Sequence, residues 1–272
     1  MKKSLDRKIG FIGAGRMATA LAKGLIHTGI CRAYDIMASD VSPAQLEAFA
    51  EATGANICEN NADVARDAEV VVLAVKPGHV AEALESIKDV LKDALLISIA
   101  AGVPISKLEA GLKSGAKVIR VMPNTPALVG CGAAAFALGK DADAADGQIA
   151  EAILSSVGIC FQVPESQLDA VTGLSGSGPA YVYSVIEALA EAGAELGIQE
   201  EIALKLAAQT VQGAAQMVLK TGKSPKDLIE MVTSPGGTTI EGMSVLAEKK
   251  VQLALVAAVK AAAKKSKDLG KQ

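Results

Sequence analysis

The apolar positions change their rhythm partway along the chain. Short runs of strand length at 8–12, 33–39, 70–75, 94–99, 117–122, Gly132–Leu138 and 158–163 alternate with segments whose apolar residues recur every three or four positions, at 16–28, Pro43–Thr53, 80–91 and 146–155. The first kind predicts strands and the second helices, and their alternation predicts a mostly parallel sheet covered by helices. After about Glu165 the strand signal stops, and three long segments at 179–196, 200–219 and 239–268 predict helices. The expected organisation is therefore an α/β domain over residues 1–164 followed by an all-α domain over residues 165–272. In the first long helical segment Glu187, Glu191 and Glu195 form one acidic stripe, while nearly every other position is apolar or small. Such a helix is expected to be buried on most sides, which in so short a domain points to a subunit interface.

Composition narrows the class of function. With 272 residues, 50% of them hydrophobic and 21% charged, the chain has material for sizeable cores and little reason for disorder. A net charge of −3 gives no general attraction for nucleic acid or anionic membranes, and the basic cluster Lys264, Lys265, Lys267 and Lys271 reads as a solvated helix end. Aromatic residues make up only 3%, without Trp, so base-stacking platforms have little to be built from and small substrates are favoured. Cys31, Cys58, Cys131 and Cys160 lie far apart with no CxxC pair, and the opening MKKSLDRK leads into a strand and not a signal-peptide core. A reduced, cytoplasmic protein is expected. No apolar run reaches the length of a membrane span.

The stretch from Gly10 to Ala18, GFIGAGRMA, carries the form GxGxxA between a predicted strand and a predicted helix. Gly13 allows a tight turn, Gly15 lets the backbone approach a pyrophosphate, Ala18 lets helix and strand pack closely, and the helix start offers N–H groups to the anion. Asp40, near the end of the second strand after Ser39, stands where an acid would bind the ribose hydroxyls of NAD and repel the extra phosphate of NADP. The other reading of ASDVSP is a polar loop in which Asp40 or Ser42 caps the helix that starts at Pro43. Three further strands end in unusual loops, Ala74-Val75-Lys76-Pro77-Gly78, Ala100-Ala101-Gly102 and Met122-Pro123-Asn124-Thr125-Pro126. Strand carboxyl ends line one crevice in a parallel sheet, so these loops are expected to converge on the nucleotide. Lys76 suits a phosphate or ribose contact or a solvated loop, and Ala100 and Ala101 suit a close-lying nicotinamide ring or a plain turn.

In the helical half, Leu174-Ser175-Gly176-Ser177-Gly178-Pro179 predicts a second exposed helix start, and Ser234-Pro235-Gly236-Gly237-Thr238-Thr239 a third. Thr238 with Glu241 fits a capping box, but that leaves the paired glycines and Thr239 unexplained, whereas an anion site built on bare N–H groups accounts for all of them. His27 and His79 have no ligand-like spacing, so no metal is expected, and no GxSxG, Cys–His pair or Walker lysine is present.

Taken together, IGAGRMA, AVKP, SIAAGV, MPNTPALV, GLSGSGPAYVY and MVTSPGGTTIEGM resemble the pyrroline-5-carboxylate reductase family over essentially the whole chain. The last motif is the specific one. The resemblance implies a Rossmann-type N-terminal domain and an all-α dimerisation domain, and reduction of 1-pyrroline-5-carboxylate to L-proline with NADPH or NADH. It also implies a homodimer, assembled with others into a decamer. Carried over by position, the nucleotide contacts fall on Ile12, Gly13, Ala14, Gly15, Arg16 and Met17, on Ser39, Asp40 and Asn60, on Ala74, Val75, Lys76 and Pro77, and on Ala100, Ala101 and Asn124. The substrate contacts fall on Ser177, Ser234, Gly236, Gly237, Thr238 and Thr239. Of these, the Gly236, Gly237 and Thr238 amides would take the carboxylate and Thr239, the catalytic residue, would hydrogen-bond the ring nitrogen.

Two other readings of the residues stay open at this stage. A β-hydroxyacid dehydrogenase or imine reductase of similar plan would favour a general-base lysine in the second domain, where Lys205 and Lys220 stand. A nucleotide-binding regulator without catalysis would be expected to lack the Gly236–Thr239 anion site.

Overall fold

The computed structural model describes residues 5–270. The start of the MKKSLDRK opening and Lys271 of the basic tail lie outside the described residues. The chain divides into two compact units, Met1–Ser177 together with Lys260–Gln272, and Gly178–Val259.

The first unit is a sheet between helices. Its strands are β1 (Ile9–Ile12), β2 (Ile36–Ser39), β3 (Asn56–Ile57), β4 (Val70–Leu73), β5 (Leu95–Ser98), β6 (Val118–Met122), β7 (Gly132–Leu138) and β8 (Gly158–Gln162). They lie in the order β3-β2-β1-β4-β5-β6-β7-β8, and neighbours run parallel except β6 with β7. Between them come α1 (Arg16–His27), α2 (Pro43–Thr53), α3 (Asn61–Asp67), α4 (Val80–Ile87), α5 (Ile105–Ala110) and α6 (Ala144–Leu154), and α7 (Leu168–Val171) follows β8.

The alternation of β4 explains the layering. Val70 and Val72 join one core with Ile9 and Phe11 of β1 and with Leu21, Leu25, Phe49 and Ile153, drawn from α1, α2 and α6. Val71 and Leu73 point the other way, into a core with Val64, Leu84, Ile87 and Leu108 from α3, α4 and α5. Side chains of successive strand residues face opposite sides, so an uninterrupted apolar run can serve both layers. Each fully buried Leu, Ile or Phe contributes about 1.5–3 kcal/mol relative to exposure.

Strand positions follow the apolar runs to within a few residues, with informative departures. Residues 33–35 wind into a 3-10 turn before β2 begins at Ile36, and the helix expected over 80–91 ends at Ile87. The short elements β3, α3 and α5 carry too few residues to establish a period. The change from strand to helix does fall near Glu165, but α7 still packs on β7 and its Leu168 is buried with Ala135 and Ala137, so compactness extends the first unit to Ser177.

The second unit holds α8 (Gly178–Glu195), α9 (Glu200–Thr221), α10 (Pro225–Val232) and α11 (Thr238–Glu248), with residues 251–259 of α12 (Val251–Gly270). Helices α8 and α9 form a hairpin whose tight end is set by Gly197, at φ 93°, with the Ile198 N–H donating to Gly193 O at 3.1 Å. That is the bond pattern of a Schellman ending. The single helix expected over 239–268 is broken at Lys249 and Lys250: Lys250 adopts φ 56° and closes α11 before α12 starts. Neither Gly nor Pro marks that break. The burial expected for α8 is also not met within the chain, where Val182, Tyr183, Val185 and Leu189 are exposed, as are Met217, Leu219, Met231 and Leu253 on its neighbours. An apolar surface of this extent on an ordered helical unit is the mark of an interaction face.

Candidate functional site

The sheet order reverses between β1 and β4, and at such a switch point of a parallel sheet ligands bind in a crevice outside the strand ends. The Gly13 N–H donates to Ser39 O at 2.8 Å and the Ala74 N–H to Ile12 O at 2.8 Å, which ties the loops after β1, β2 and β4 together. Gly13 has φ +95°, and a Cβ on it would meet Ala74 O at 2.8 Å. The fold itself demands that glycine. Gly15 is different: its backbone is extended (φ −72°, ψ −177°), and a Cβ there would meet nothing nearer than Gln45 Oε1 at 3.6 Å. Its bare backbone is therefore not explained by protein packing. An open backbone at this point lets a group approach closely from outside.

Helix α1 starts from Gly15 with no side-chain cap and no acid in its first turn. The first amides of a helix lack intrahelical partners and carry partial positive charge, so the Arg16 and Met17 N–H groups are poised for an anion. Ala18 is fully buried, as close helix–strand packing requires. The residues present fit the pyrophosphate of a dinucleotide.

Asp40 follows β2. One carboxylate oxygen, Oδ2, accepts the Ala14 N–H at 2.7 Å and the other, Oδ1, accepts the Ser42 N–H at 2.8 Å. Ser42 does precede α2, but its side chain makes no cap bond, and Asp40 fastens the loop after β1 and does not cap α2. The helix-cap reading of this loop is corrected accordingly. The Ser39 hydroxyl donates to Asn61 Oδ1 at 2.8 Å, on the side of α3. Asn60 caps α3: its Oδ1 accepts the Asp63 N–H at 2.9 Å and its Nδ2 donates to Asp63 Oδ2 at 2.8 Å.

Along the crevice, Ala74 and Val75 lie against Gly13, and Lys76 precedes a 3-10 turn, Pro77–His79. Pro77 and Ala101 line a cavity of about 640 Å³ together with Gly102, Val103, Lys107 and Leu269. Ala100 is buried at the end of β5. Asn124 is committed within the protein, its Oδ1 accepting the Ala133 N–H at 2.9 Å and its Nδ2 donating to Ser175 O at 3.0 Å. The helix start expected around Ser177 is not open: residues Thr172–Gly176 form a π turn, and the Ser177 N–H donates to Thr172 O at 2.8 Å.

In the second unit, the Ser234–Gly237 stretch closes as a β-turn in which the Gly237 N–H donates to Ser234 O at 2.9 Å. Proline at the second position and φ +71° at Gly236 are the marks of a type II turn. A Cβ on Gly237 would meet Ser234 Oγ at 2.6 Å. The two adjacent glycines thus have separate causes, a left-handed backbone and a close approach. Gly237 is the N-cap of α11 without a side-chain cap bond, and Thr238 is the first helical residue, so Thr238 and Glu241 do not form a capping box. The Gly237 amide is spent in the turn. Among the described residues, no backbone partner is found for the amides of Gly236, Thr238 and Thr239.

A buried polar cluster escaped the sequence reading. Arg120 on β6 is 7% exposed; it pairs with Glu165 Oε1 at 3.1 Å and lies 3.8 Å from Asp169 Oδ1, which accepts the Ser266 hydroxyl at 2.7 Å. Glu165 Oε1 also accepts the Ile105 N–H at 2.7 Å, at the start of α5. Its signal was present: an arginine inside the apolar run VIRVM has to find a carboxylate when that strand is buried. Burial pushes the Cys31 thiol up to about 11 and raises that of Cys58, so neither is an activated nucleophile. Lys205 is tied to Glu201 at 2.7 Å on an exposed helix face, which removes the motive for treating it as a general base.

A glycine turn feeding an uncapped helix at the switch point of a parallel sheet, followed by an apolar helical unit, defines the class of dinucleotide-dependent oxidoreductases. Comparison with known proteins agrees. Residues 8–102 match the family described as NADP oxidoreductase coenzyme F420-dependent, and residues 165–269 the family described as pyrroline-5-carboxylate reductase dimerisation. The pyrroline-5-carboxylate reductase of Methanosarcina acetivorans is 47% identical over 98% of this chain and 99% of its own, and that of Arabidopsis thaliana 44% identical over 96% and 95%. The chain therefore belongs to the pyrroline-5-carboxylate reductase family. Among solved structures, the family member from Coxiella burnetii superposes with a TM-score of 0.92 at 38% identity, covering 98% of this chain and 99% of that one. The pyrroline carboxylate reductase of Plasmodium falciparum, solved with NADP bound, has a TM-score of 0.88 at 36% identity, with coverage of 98% and 99%.

Proposed function

We propose that the chain reduces 1-pyrroline-5-carboxylate to L-proline with NADPH or NADH, the last step of proline biosynthesis. The bound reduced nicotinamide supplies the hydride that the C=N carbon accepts. Residues 1–164 hold the nucleotide: the Arg16 and Met17 amides take the pyrophosphate, Asp40 the ribose, and Ala74–Pro77 with Ala100 and Ala101 the ribose and nicotinamide side. Residues 165–272 hold the substrate and form the dimer, in keeping with the apolar surface left on α8–α12. A homodimer, built up into a decamer, and a cytoplasmic location complete the reading; no helix among the described residues is long and apolar enough to cross a membrane.

The observation that carries the substrate assignment is the uncapped start of α11, where a structured turn leaves the Gly236, Thr238 and Thr239 amides for a carboxylate. The Thr239 hydroxyl accepts the N–H of the protonated imine and retains that bond to the amine of the product. An iminium carbon is already electrophilic, so orientation by a neutral hydroxyl and an anchored carboxylate suffices. The test is a pair of variants. Thr239→Ala is expected to lower kcat at least about tenfold, a lost interaction of about 1.4 kcal/mol, while Thr239→Ser restores most of it and the Kd for NADH stays unchanged. Parallel loss of turnover and nucleotide binding would contradict the role.

A further inference from the structure

We infer that Asp40 makes this chain an NADH-selective member of its family. The inference rests on the reading of the crevice as a nucleotide site and goes further, to which nucleotide it takes. Asp40 is fixed beside the glycine turn because each carboxylate oxygen accepts one backbone N–H, from Ala14 at 2.7 Å and from Ser42 at 2.8 Å. An ionised carboxylate offers about four acceptor sites, so capacity remains for the two hydroxyls of an adenosine ribose. A 2′-phosphate in the same place would set a second anion against a carboxylate that two hydrogen bonds prevent from swinging away.

The segment that follows β2 brings that phosphate no cation. Between Arg32 and Arg66 the chain contains no lysine or arginine, while Asp35, Asp40, Glu47, Glu51, Glu59 and Asp63 all fall in that interval. The two flanking arginines are committed, Arg32 to Asp35 at 2.7 Å and Arg66 to Asp63 at 2.7 Å. The Ser39 hydroxyl, which could have donated to a phosphate, donates to Asn61 at 2.8 Å. Asp40 and Ser39 at the end of β2 thus favour two neutral ribose hydroxyls, although the Plasmodium relative was solved with NADP.

The test uses calorimetric titration of the full chain with ADP-ribose and with 2′-phospho-ADP-ribose, which carry the distinguishing end of each cofactor and report binding without turnover. Wild-type protein is expected to bind ADP-ribose at least about thirtyfold more tightly, and Asp40→Asn to narrow that ratio at least about tenfold, chiefly by strengthening the phosphorylated ligand. Equal or tighter binding of 2′-phospho-ADP-ribose by the wild type overturns the inference while leaving the nucleotide site standing. A ratio unchanged in a folded Asp40→Asn overturns the role of that residue. Binding of neither ligand removes the nucleotide site itself, and the inference with it. The wild-type ratio is decisive even if the variant does not fold.

Discussion

Two glycines two residues apart should respond in different ways to the same substitution. Gly15 has an extended backbone and no protein atom within 3.6 Å of a Cβ position, so alanine fits the folded chain without strain. Alanine also reduces the freedom of the unfolded chain, a gain of about 0.4–1 kcal/mol, but it is a poorer N-cap for α1 than glycine by a similar amount, so Gly15→Ala is expected to keep Tm within about 3 °C of the wild type. Its methyl group would stand where the pyrophosphate approaches, and the Kd for NADH is expected to rise at least about tenfold. Gly13→Ala meets the reverse situation. Its φ of +95° and the Ala74 carbonyl 2.8 Å from the new Cβ are costs inside the protein. A penalty of about 2 kcal/mol for that conformation and contact lowers Tm by about 4–8 °C. Differential scanning calorimetry and NADH titration of both variants form the assay. A Gly15→Ala protein that binds NADH as the wild type does would refute the placement of the nucleotide, and one that melts as low as Gly13→Ala would refute the packing argument.

Other consequences are independent of the nucleotide. Arg120→Met leaves Glu165 and Asp169 without their cation; because Glu165 is partly solvated the loss is expected near about 2 kcal/mol, below that of a fully buried pair. Urea unfolding measures it, and a loss under about 0.5 kcal/mol would show that the cluster does not hold the sheet to the segment at 165–169. Cys31, pushed up to about 11 by burial, is expected to react with a disulfide reagent at pH 8 far more slowly than exposed Cys131, and to gain reactivity as pH rises toward that value. Peptide mapping of the labelled protein would reveal an inversion of that order.

The sequence made the layered architecture legible because short apolar runs, as in β4 and β7, alternate with period-3.6 patterns in elements long enough to show them, such as α1 and α9. It was silent on α3 and α5, whose six or seven residues establish no period, and on the break at Lys249–Lys250, where a lysine takes a left-handed conformation usually left to glycine. At the candidate site, the glycine turn after β1 was readable from spacing alone. The alternatives at Asp40 were not, since only the carboxylate's two bonds, to Ala14 and Ser42, separate a loop fastener from a helix cap. The Ser234–Gly237 motif was read for its free amides, yet one of the three belongs to the turn, and the start of the useful N–H groups shifts toward Thr238 and Thr239. Arg120 went unnoticed because its partners lie 45 and 49 positions away, and local patterns carry no information on such pairings.

The central claim is that the start of α11 reads the carboxylate of a cyclic imine that the nicotinamide then reduces. The measurement that reaches it most directly is kcat/KM with 1-pyrroline-5-carboxylate and with 1-pyrroline, which lacks the carboxylate, at one NADH concentration with product identified by mass. Two charge-assisted bonds of about 1.5–3 kcal/mol each imply a preference of at least about 100-fold for the carboxylate, with proline as its product. Equal rates for the two imines, or no proline from the first, would contradict the account.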